Sequence, residues 1–409
     1  MNKYLLGAAL VAATTGLVTF YPNSAGPGTT AQAMNLTSTQ PAATPLATTS
    51  QNGQNRPRID LVFAIDTTGS MSGLIAAAKE KVWSIASTMA QGQPAPEIRI
   101  GLVAYRDHGD DYVTQVTDLS TDLDSVYAKL MILSANGGGD GPEDVNQGLL
   151  DAVTKMSWRN DDQTYKVVFL VGDAPPHTDY QGEIQYPEIV AQARSRGIVI
   201  NTIQCGSQGD TTAAWQQIAA LAQGEFINVA QNGSAVAVAT PFDDKLARLS
   251  VAMDATRLFY GDKNAQALTE KKVDAAAKVL NQASFASRAR RAEFNASASG
   301  ADNFLGDSEL VDAVASGRVD LKALPAAVMP APLRMLAPAA RAVVVKDKAE
   351  QRAKIKNEIA QVAKERDAFI ESEVAAAGGA KDSLDQKLHD VIGRQALKAG
   401  VNVGTQLKY

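Results

Sequence analysis

The stretch I-D-L-V-F-A-I-D-T-T-G-S-M-S, residues 59–72, decides the fold of this chain. Five of the seven residues from Ile59 to Ile65 are large and apolar or β-branched, and they do not alternate cleanly with polar residues. This pattern is typical of a strand that is buried on both faces of a parallel sheet. We therefore predict a central strand that ends at Asp66.

A carboxylate and two hydroxyls follow at the carboxyl end of this strand. Asp66 is its last residue, and Thr68 and Ser70 lie in the turn before a helix-compatible run over 74–90. In an open α/β sheet, ligands bind just beyond the carboxyl ends of the strands, so these side chains lie where a site is expected. Oxygen-only ligands suit a hard divalent cation. The alternative interpretation is a helix N-cap, which uses the same residue types.

Strands and helices alternate over the next 190 or so residues of the chain. After the first strand, the predicted strands span residues 97–105, 112–119 (an edge strand), 165–172, 198–205 and 225–229. The predicted helices span residues 73–90, 123–133, 212–222 and 242–253, and the last of these should close the domain. Such alternation predicts an α/β fold with a doubly wound, mostly parallel sheet and helices on both faces.

Two further loops place acidic residues in similar surroundings. Asp173 follows the apolar strand 165–172, much as Asp66 ends the first strand. Between them lies the glycine-rich loop 136–144, which contains Asp140 and whose glycines let the backbone approach a ligand closely. The loop lacks the Gly-Lys-Ser/Thr of a phosphate-binding loop, so the sequence does not support nucleotide binding.

Taken together, these residues resemble the metal-ion-dependent adhesion site of von Willebrand factor type A domains. The signature of that family is Asp-x-Ser/Thr-x-Ser after the first strand, here Asp66-x-Thr68-x-Ser70. The resemblance implies that Asp140, in place of the usual threonine, and Asp173 complete a site for Mg²⁺ or Mn²⁺. The aspartate variant is associated with bacterial and hemicentin-like members. The family binds protein partners, so the resemblance implies a binding protein and no enzyme.

The resemblance also implies how the partner is held. Hydroxyl ligands do not neutralise the cation, which therefore attracts an acidic side chain of the partner to its open coordination position. Asp140 adds a negative charge to this arrangement. If it binds the ion directly, the attraction for an acidic partner falls, and the metal becomes structural or the partner neutral.

Two other classes of function remain open. Asp66-Thr67-Thr68 superficially resembles the aspartate nucleophile of haloacid-dehalogenase-type phosphatases, which use Mg²⁺. Thr68 stands where that family normally has a second acid, which argues against such an aspartyl-phosphate mechanism. The other class is a structural scaffold that acts through its helical tail. Deletion of the residues after Asp262 would separate this role from metal-dependent binding.

Several polar residues near these loops have plainer explanations. Residues 106–111 predict a solvated hairpin turn, although a metal-binding interpretation of this acidic and histidine-containing cluster is available. Glu143 suits the first turn of the following helix. His177 is expected to shape its loop or to form local hydrogen bonds, although a role as a ligand or a general base is open. Cys205 lies in a predicted strand and is expected to be a buried apolar thiol.

Composition and the first residues place the chain in a cellular context. The chain has 409 residues and one cysteine, so an intramolecular disulfide is excluded. Its net charge of −5 gives no reason to expect a nucleic-acid partner. Residues 1–33 predict a secretory signal and 34–57 a disordered linker, so we expect a periplasmic or secreted protein. After removal of the signal, no segment is apolar for long enough to cross a bilayer.

The type A resemblance covers residues 58–257, and residues 258–409 predict an α-helical C-terminal region. Its longest helix candidate is residues 339–377, and Ser383 can cap a last helix after Gly378-Gly379. These two helices predict an antiparallel hairpin. The charged runs at 346–348 and 364–367 mix signs and predict a solvated face. The whole arrangement resembles exported bacterial proteins that pair a type A domain with a helical C-terminal region.

Overall fold

The computed structural model describes residues 56–139, 141–404 and 406–409. Its strands are β1 (Arg58–Asp66), β2 (Glu97–Tyr105), β3 (Thr114–Ser120), β4 (Thr164–Gly172), β5 (Ile198–Cys205) and β6 (Phe226–Val229). Within these residues the strands form one sheet in the order β3-β2-β1-β4-β5-β6. β3 runs antiparallel to β2, and all other neighbouring strands are parallel. The predicted doubly wound, mostly parallel sheet is therefore confirmed.

The helices fall into two groups along the chain. Those of the α/β part are α1 (Ser72–Met89), α2 (Leu123–Ile132), α3 (Val145–Thr154), α4 (Tyr186–Ser195), α5 (Gly209–Leu221) and α6 (Asp243–Asp254). Those of the C-terminal region are α7 (Lys263–Gln282), α8 (Phe285–Ala296), α9 (Ala301–Leu305), α10 (Leu310–Ala315), α11 (Ala331–Arg334), α12 (Pro338–Ala376) and α13 (Leu384–Lys398). The predicted helical C-terminal region is confirmed.

The strand order reverses at the centre of the sheet. From β1 the chain proceeds to β2 and β3 on one side, and then returns to β4, β5 and β6 on the other. The crevice between the carboxyl ends of β1 and β4 is the position at which open α/β sheets bind ligands. Asp66 ends β1, and Asp173 directly follows β4. The topology therefore brings the first and third predicted loops to this crevice.

Helices cover both faces of the sheet. On one face, Trp83 of α1 and Tyr127 of α2 pack in the same apolar cluster as Phe63 and Phe169 of the sheet. On the other face, α3, α4 and α5 enclose a second cluster. Each central strand is consequently buried on both sides, which explains the continuous apolar runs in the sequence.

The closing helix of the α/β part is not the one that the sequence predicts. Leu246 and Met253 of α6 pack with Phe304 and α12, in a cluster that contains no strand residue of the described chain. The sheet is instead closed by α13, whose Leu388 and Val391 belong to the same cluster as α1 and β1. An apolar stripe on a helix shows that one face is buried but does not specify which surface covers it.

Two further expectations for the C-terminal region are wrong. The buried apolar residues of α12 pack with α6, α8 and α10, whereas those of α13 pack with α1, so the two helices are not a packed hairpin. The run 364–367 is not a purely solvated face. Arg366 and Asp367 are buried, and they pair with Asp243 and Arg290 respectively. These pairs attach α12 to α6 and α8.

The predicted signal (residues 1–33) and linker (residues 34–57) fall mostly on residues 1–55, which lie outside the described residues. Across the described ranges, no helix combines the length and the apolar character that crossing a membrane requires.

Two helical glycines with opposite surroundings give a stability test. A Cβ added to Gly148 in α3 would lie 2.7 Å from ring atoms of Tyr105, whereas a Cβ on Gly393 in α13 would meet no atom within 4 Å. We expect Gly148→Ala to lower the free energy of unfolding by about 1–3 kcal/mol through overpacking. Gly393→Ala should raise it by about 0.5–1 kcal/mol, because alanine favours the helix. Urea unfolding of both variants measures this difference, and equal effects would contradict it.

Candidate metal site

Asp66 is the central residue of the candidate site. Its carboxylate is wholly buried, and Oδ1 accepts hydrogen bonds from the Thr68 backbone N–H at 2.8 Å and from the Thr68 hydroxyl at 2.7 Å. Oδ2 is buried and accepts no hydrogen bond from the described residues. Burial is the main cause that raises the pKa of Asp66 to about 7; the hydrogen bonds from Thr68 oppose this rise, and the nearby Asp173 contributes to it. The buried carboxylate therefore lacks a compensating charge.

The N-cap alternative for this loop is not supported. Thr68 precedes a short 3₁₀ turn over Gly69–Met71, and Met71 is the residue before α1. Neither position makes a side-chain capping hydrogen bond. The oxygen atoms of the first loop are thus not used to start the helix, and the exposed Ser70 side chain is open to another role.

Glu143 is a residue of the site that the sequence analysis missed. It is buried, and its Oε2 has no hydrogen-bond partner among the described residues. The pKa of Glu143 is raised to about 8, mainly by burial and also by the charge of Asp66, while the Thr68 side chain opposes the rise. Its backbone joins the second and third loops, because its N–H donates to the Pro175 carbonyl and its carbonyl accepts from the His177 N–H.

The expectation that Glu143 starts the next helix is wrong. The residue before α3 is Asp144, whose side chain accepts from the Gln147 N–H at 2.8 Å. The signal was present in the sequence, because Asp144-x-x-Gln147 has the spacing of a capping box. A capping box at this position places Glu143 in the loop before the helix, where its carboxylate is available to the site.

Asp173 and Ser70 are joined by a shared neighbour. The Gln231 side-chain amide donates to Asp173 Oδ2 at 2.6 Å and to the Ser70 carbonyl at 3.3 Å. The Thr211 hydroxyl donates to the Asp173 carbonyl at 2.9 Å. Gln231 follows β6 and was not predicted; nothing in its local sequence distinguishes it. These bonds hold the third loop against the first.

The glycine-rich second loop lies directly on the first. Gly137 and Gly138 have φ of 79° and 81°, a conformation that glycine adopts without strain. A Cβ on Gly138 would lie 3.2 Å from Glu143 Oε1 and 3.3 Å from the Thr68 Cβ. The loop backbone therefore lies against Glu143 and Thr68. Asp140, the ligand expected from this loop, lies outside the described residues.

The residues 106–111 form a hairpin turn between β2 and β3, but the predicted solvation is wrong for its first two residues. Arg106 and Asp107 are buried. The Arg106 guanidinium donates to the Thr67 carbonyl at 3.1 Å and to the Ser134 carbonyl at 2.9 Å, so it ties the first loop to the segment between α2 and the second loop. Cys205 is buried as predicted, and burial raises the pKa of its thiol.

The structure thus brings together four of the predicted residues and one unpredicted one. Asp66, Thr68, Ser70 and Asp173 lie in adjacent loops, and Glu143 adds a carboxylate between them. This set offers only oxygen atoms, which are the ligands that Mg²⁺ and Mn²⁺ prefer. Two of the buried carboxylate oxygens accept no hydrogen bond from the described residues, and a bound cation would stabilise them. Among the described residues, one group of three acidic or histidine side chains has ligand atoms that all lie within 4.8 Å of one another. That group is His108, Asp144 and Glu183, which are not residues of the predicted site.

Comparison with known proteins finds similar chains of several kinds. Among solved structures, proximal thread matrix protein 1 (PTMP1) from the mussel byssus is 17% identical with a TM-score of 0.32, over 42% of this chain and 42% of that one. The SpRpn10 VWA domain is 16% identical with a TM-score of 0.33, over 42% of this chain and 88% of that one.

Two curated relatives match a shorter segment. The alpha-protein kinase vwkA of Dictyostelium discoideum is 30% identical over 125 residues, which is 30% of this chain and 19% of the relative. The putative ariadne-like RING finger protein R811 of Acanthamoeba polyphaga mimivirus is 29% identical over 126 residues, which is 30% of this chain and 12% of the relative. The match therefore spans less than a fifth of either relative.

The family comparison agrees with the topology and with the position of the loops. Residues 60–240 match the sequence profile of the von Willebrand factor A domain. This segment begins within β1 and ends shortly before α6, so it contains the sheet and all three loops of the site. The chain therefore contains a von Willebrand factor A domain over residues 60–240.

Proposed function

We propose that this protein binds a protein partner through a divalent ion, Mg²⁺ or Mn²⁺, held at the carboxyl ends of β1 and β4. Domains of this family commonly mediate protein interactions, and many bind a divalent metal, which supports the general assignment. The proposed ligands are the residues of the predicted site together with the carboxylate found in the structure: Asp66, Thr68, Ser70, Asp140, Glu143 and Asp173.

One observation carries this proposal, namely the two orphaned carboxylate oxygens in the crevice. Asp66 Oδ2 and Glu143 Oε2 are both buried without a hydrogen bond from the described residues. A buried carboxylate without a partner costs several kcal/mol, by order of magnitude, so such groups normally pair with a cation. A divalent ion between the loops would offset this cost for both residues.

The charge of the site bears on the chemistry of the partner. The sequence predicts that an acidic side chain of the partner completes the coordination of the ion. Glu143 adds a carboxylate that the family signature does not require, and it would weaken the attraction for an acidic group. We therefore propose that a neutral oxygen ligand from the partner, such as a carboxamide, competes with a carboxylate for this position.

Binding accounts for the arrangement better than the two alternatives. An aspartyl-phosphate mechanism requires an accessible nucleophile, whereas the Asp66 side chain is wholly buried and its Oδ1 already accepts two hydrogen bonds. A scaffold that acts through its tail requires free helical surface, whereas α8, α12 and α13 bury their apolar faces against the rest of the chain. We propose a binding role without catalysis, in a protein exported by the signal in residues 1–33.

Isothermal titration of the full chain with Mg²⁺ and Mn²⁺ tests the proposal. We expect one bound ion in the natural chain and none in Asp66→Ala, since Asp66 lies at the centre of the ligand set. Asp382→Ala is the matched control, because the Asp382 side chain is fully exposed, in the turn before α13. It should bind as the natural chain does. Absence of binding in the natural chain, or equal binding in Asp66→Ala, would refute the proposed function.

A further inference from the structure

A second group of ligand atoms lies beside the crevice, on side chains from three different segments. His108 is in the turn between β2 and β3, Asp144 precedes α3, and Glu183 lies in the loop before α4. His108 Nε2 is 3.2 Å from Asp144 Oδ2 and 3.1 Å from Glu183 Oε1. The three atoms all lie within 4.8 Å of one another. Segments far apart in sequence thus converge on one point.

Hydrogen bonding does not account for this convergence. An imidazole nitrogen carries at most one proton, so His108 Nε2 can donate to only one of the two carboxylates. Asp144 is wholly buried; its Oδ1 accepts from the Gln147 N–H, and its Oδ2 accepts no hydrogen bond within the described ranges. Glu183 Oε2 is likewise buried without a hydrogen-bond partner there. The pair of carboxylates therefore carries more negative charge than one imidazole can balance.

The histidine ring is held in position by its neighbours. It stacks on Tyr180 with ring centroids 4.3 Å apart and planes inclined by 5°. The Tyr180 hydroxyl donates in turn to the carboxylate of the buried Asp107, whose two oxygens lie 2.7 and 2.9 Å from it. The stacking restrains the plane of the His108 ring, and Nε2 lies within 3.2 Å of one oxygen of each carboxylate. A fixed ring is what a metal-ligating histidine requires.

We propose that His108, Asp144 and Glu183 bind one divalent transition-metal ion, with Zn²⁺ as the best-matched example. One imidazole nitrogen and two carboxylate oxygens suit borderline ions such as Zn²⁺, Co²⁺ and Ni²⁺, whereas Mg²⁺ prefers oxygen alone. Zinc ligands about 2.0–2.1 Å from the ion lie roughly 3.3 Å apart in a tetrahedron. The observed separations of 3.1 and 3.2 Å from His108 Nε2 are close to that spacing, and the Asp144 and Glu183 oxygens lie within 4.8 Å of each other.

The site has an open side. The His108 side chain is 49% exposed, so one coordination position faces solvent and accepts water or a group of a partner. The inner side is closed, because Asp144 caps α3 and is wholly buried. A bound ion would tie the β2–β3 turn to the starts of α3 and α4. This inference stands apart from the proposed Mg²⁺ or Mn²⁺ site, since the two share no ligand.

The test uses the full chain without a polyhistidine tag, titrated with Co²⁺ and Zn²⁺ in excess Mg²⁺. Co²⁺ should add one equivalent with visible d–d absorption, and Zn²⁺ should displace it. His108→Ala should lose this equivalent, while His389→Ala, the control histidine on α13, should retain it. Glu183→Gln keeps the shape of the side chain and should weaken Zn²⁺ binding by at least tenfold, which provides a second variant if His108→Ala folds poorly.

Two outcomes would overturn the inference. The first is an unchanged Co²⁺ equivalent in His108→Ala and Glu183→Gln, which would place the ion elsewhere. The second is the absence of a Co²⁺ or Zn²⁺ equivalent in the natural chain, which would leave an ion pair of protonated His108 with the two carboxylates. Mg²⁺ titration of His108→Ala separates the two sites, because this variant should lose the Zn²⁺ equivalent and keep the proposed Mg²⁺ equivalent.

Discussion

Replacement of Arg291 by alanine is expected to lower the free energy of unfolding by about 3–5 kcal/mol, the cost of breaking a buried ion pair by removing one partner. The Arg291 side chain is wholly buried in α8. Its Nε and Nη2 donate to the two oxygens of the buried Asp124 in α2, at 2.6 and 2.7 Å. This bidentate geometry is the strongest form of an arginine–carboxylate contact.

The same guanidinium reaches a third helix. Arg291 Nη1 donates to the Ser250 hydroxyl at 2.8 Å, and Nη2 lies 2.9 Å from Asp254 Oδ2, both in α6. One cation therefore joins α2 of the α/β part to α6 and to α8 of the C-terminal region. Removal of the cation leaves the wholly buried Asp124 without its bidentate partner, whereas Asp254 keeps its contact with Arg257 at 3.2 Å. The loss at Asp124 is the origin of the large expected effect.

Urea unfolding monitored by circular dichroism measures this effect. Arg248→Ala is the matched control, because Arg248 lies on α6 with its side chain 69% exposed and forms a surface pair with Asp244. Its loss should change the stability by less than about 0.5 kcal/mol. If Arg291→Ala unfolds at the same urea concentration as Arg248→Ala, the buried contact does not hold the two parts together.

The same pair should also appear in the acid stability of the natural chain. Burial alone would raise the pKa of Asp124, but the charge and hydrogen bonds of Arg291 outweigh it and hold this pKa below its usual value of 3.8. An acid with a lowered pKa in the folded state contributes stability above its unfolded pKa and loses it as the pH falls. Acid unfolding below about pH 4 should therefore be less steep in Arg291→Ala.

The strands could be predicted from the sequence because their signal is local. A strand buried on both faces must be apolar at nearly every position, so residues 59–65, 165–172 and 198–205 stand out. They correspond to β1 (Arg58–Asp66), β4 (Thr164–Gly172) and β5 (Ile198–Cys205). The strand order then follows from the connections, which explains why the crevice could be located before the structure was known.

The candidate site could be predicted only in part. Asp66 and Asp173 are the residues at which apolar strands end, and sequence position alone reveals them. Glu143 contributes through a loop that folds back across the crevice, and Gln231 reaches Asp173 from beyond β6. Such contacts depend on how loops cross in space, and no periodic pattern in the sequence predicts them.

The C-terminal packing could not be predicted because long charged side chains normally lie at the surface. Arg290, Arg291 and Arg366 are buried, and each pairs with a carboxylate from another helix. In sequence these residues are indistinguishable from the exposed arginines around them. Their partners, among them Asp124 and Asp243, lie more than a hundred residues away and also appear ordinary.

A chain truncated after Asp262 is expected not to form a stable α/β domain. The truncation removes α13, whose Leu388 and Val391 pack in the same apolar cluster as Trp83 of α1. It also removes Gln395, which accepts from the Tyr165 hydroxyl at 2.8 Å and donates to Asn201 at 2.7 Å, all three of them buried. The exposed apolar face and the unpaired polar groups both favour unfolding or aggregation.

The truncated chain can be compared with the full chain by tryptophan fluorescence, dye binding and urea unfolding. The full chain should show cooperative unfolding and weak binding of a hydrophobic dye. The truncated chain should bind the dye strongly and lack a cooperative transition. A truncated domain that unfolds cooperatively with the stability of the full chain would show that α13 packs on the sheet but is not required for a stable core.

Two substitutions on α13 test the packing of this helix on the sheet without removing a segment. Leu388 is 2% exposed within the cluster that contains α1 and β1, whereas Leu397, on the same helix, is 67% exposed. Leu388→Ala should lower the free energy of unfolding by about 2–5 kcal/mol through lost burial and a residual cavity. Leu397→Ala should change it by less than about 0.5 kcal/mol. Because both changes remove the same atoms from the same helix, any difference between them measures the packing of α13 on the sheet.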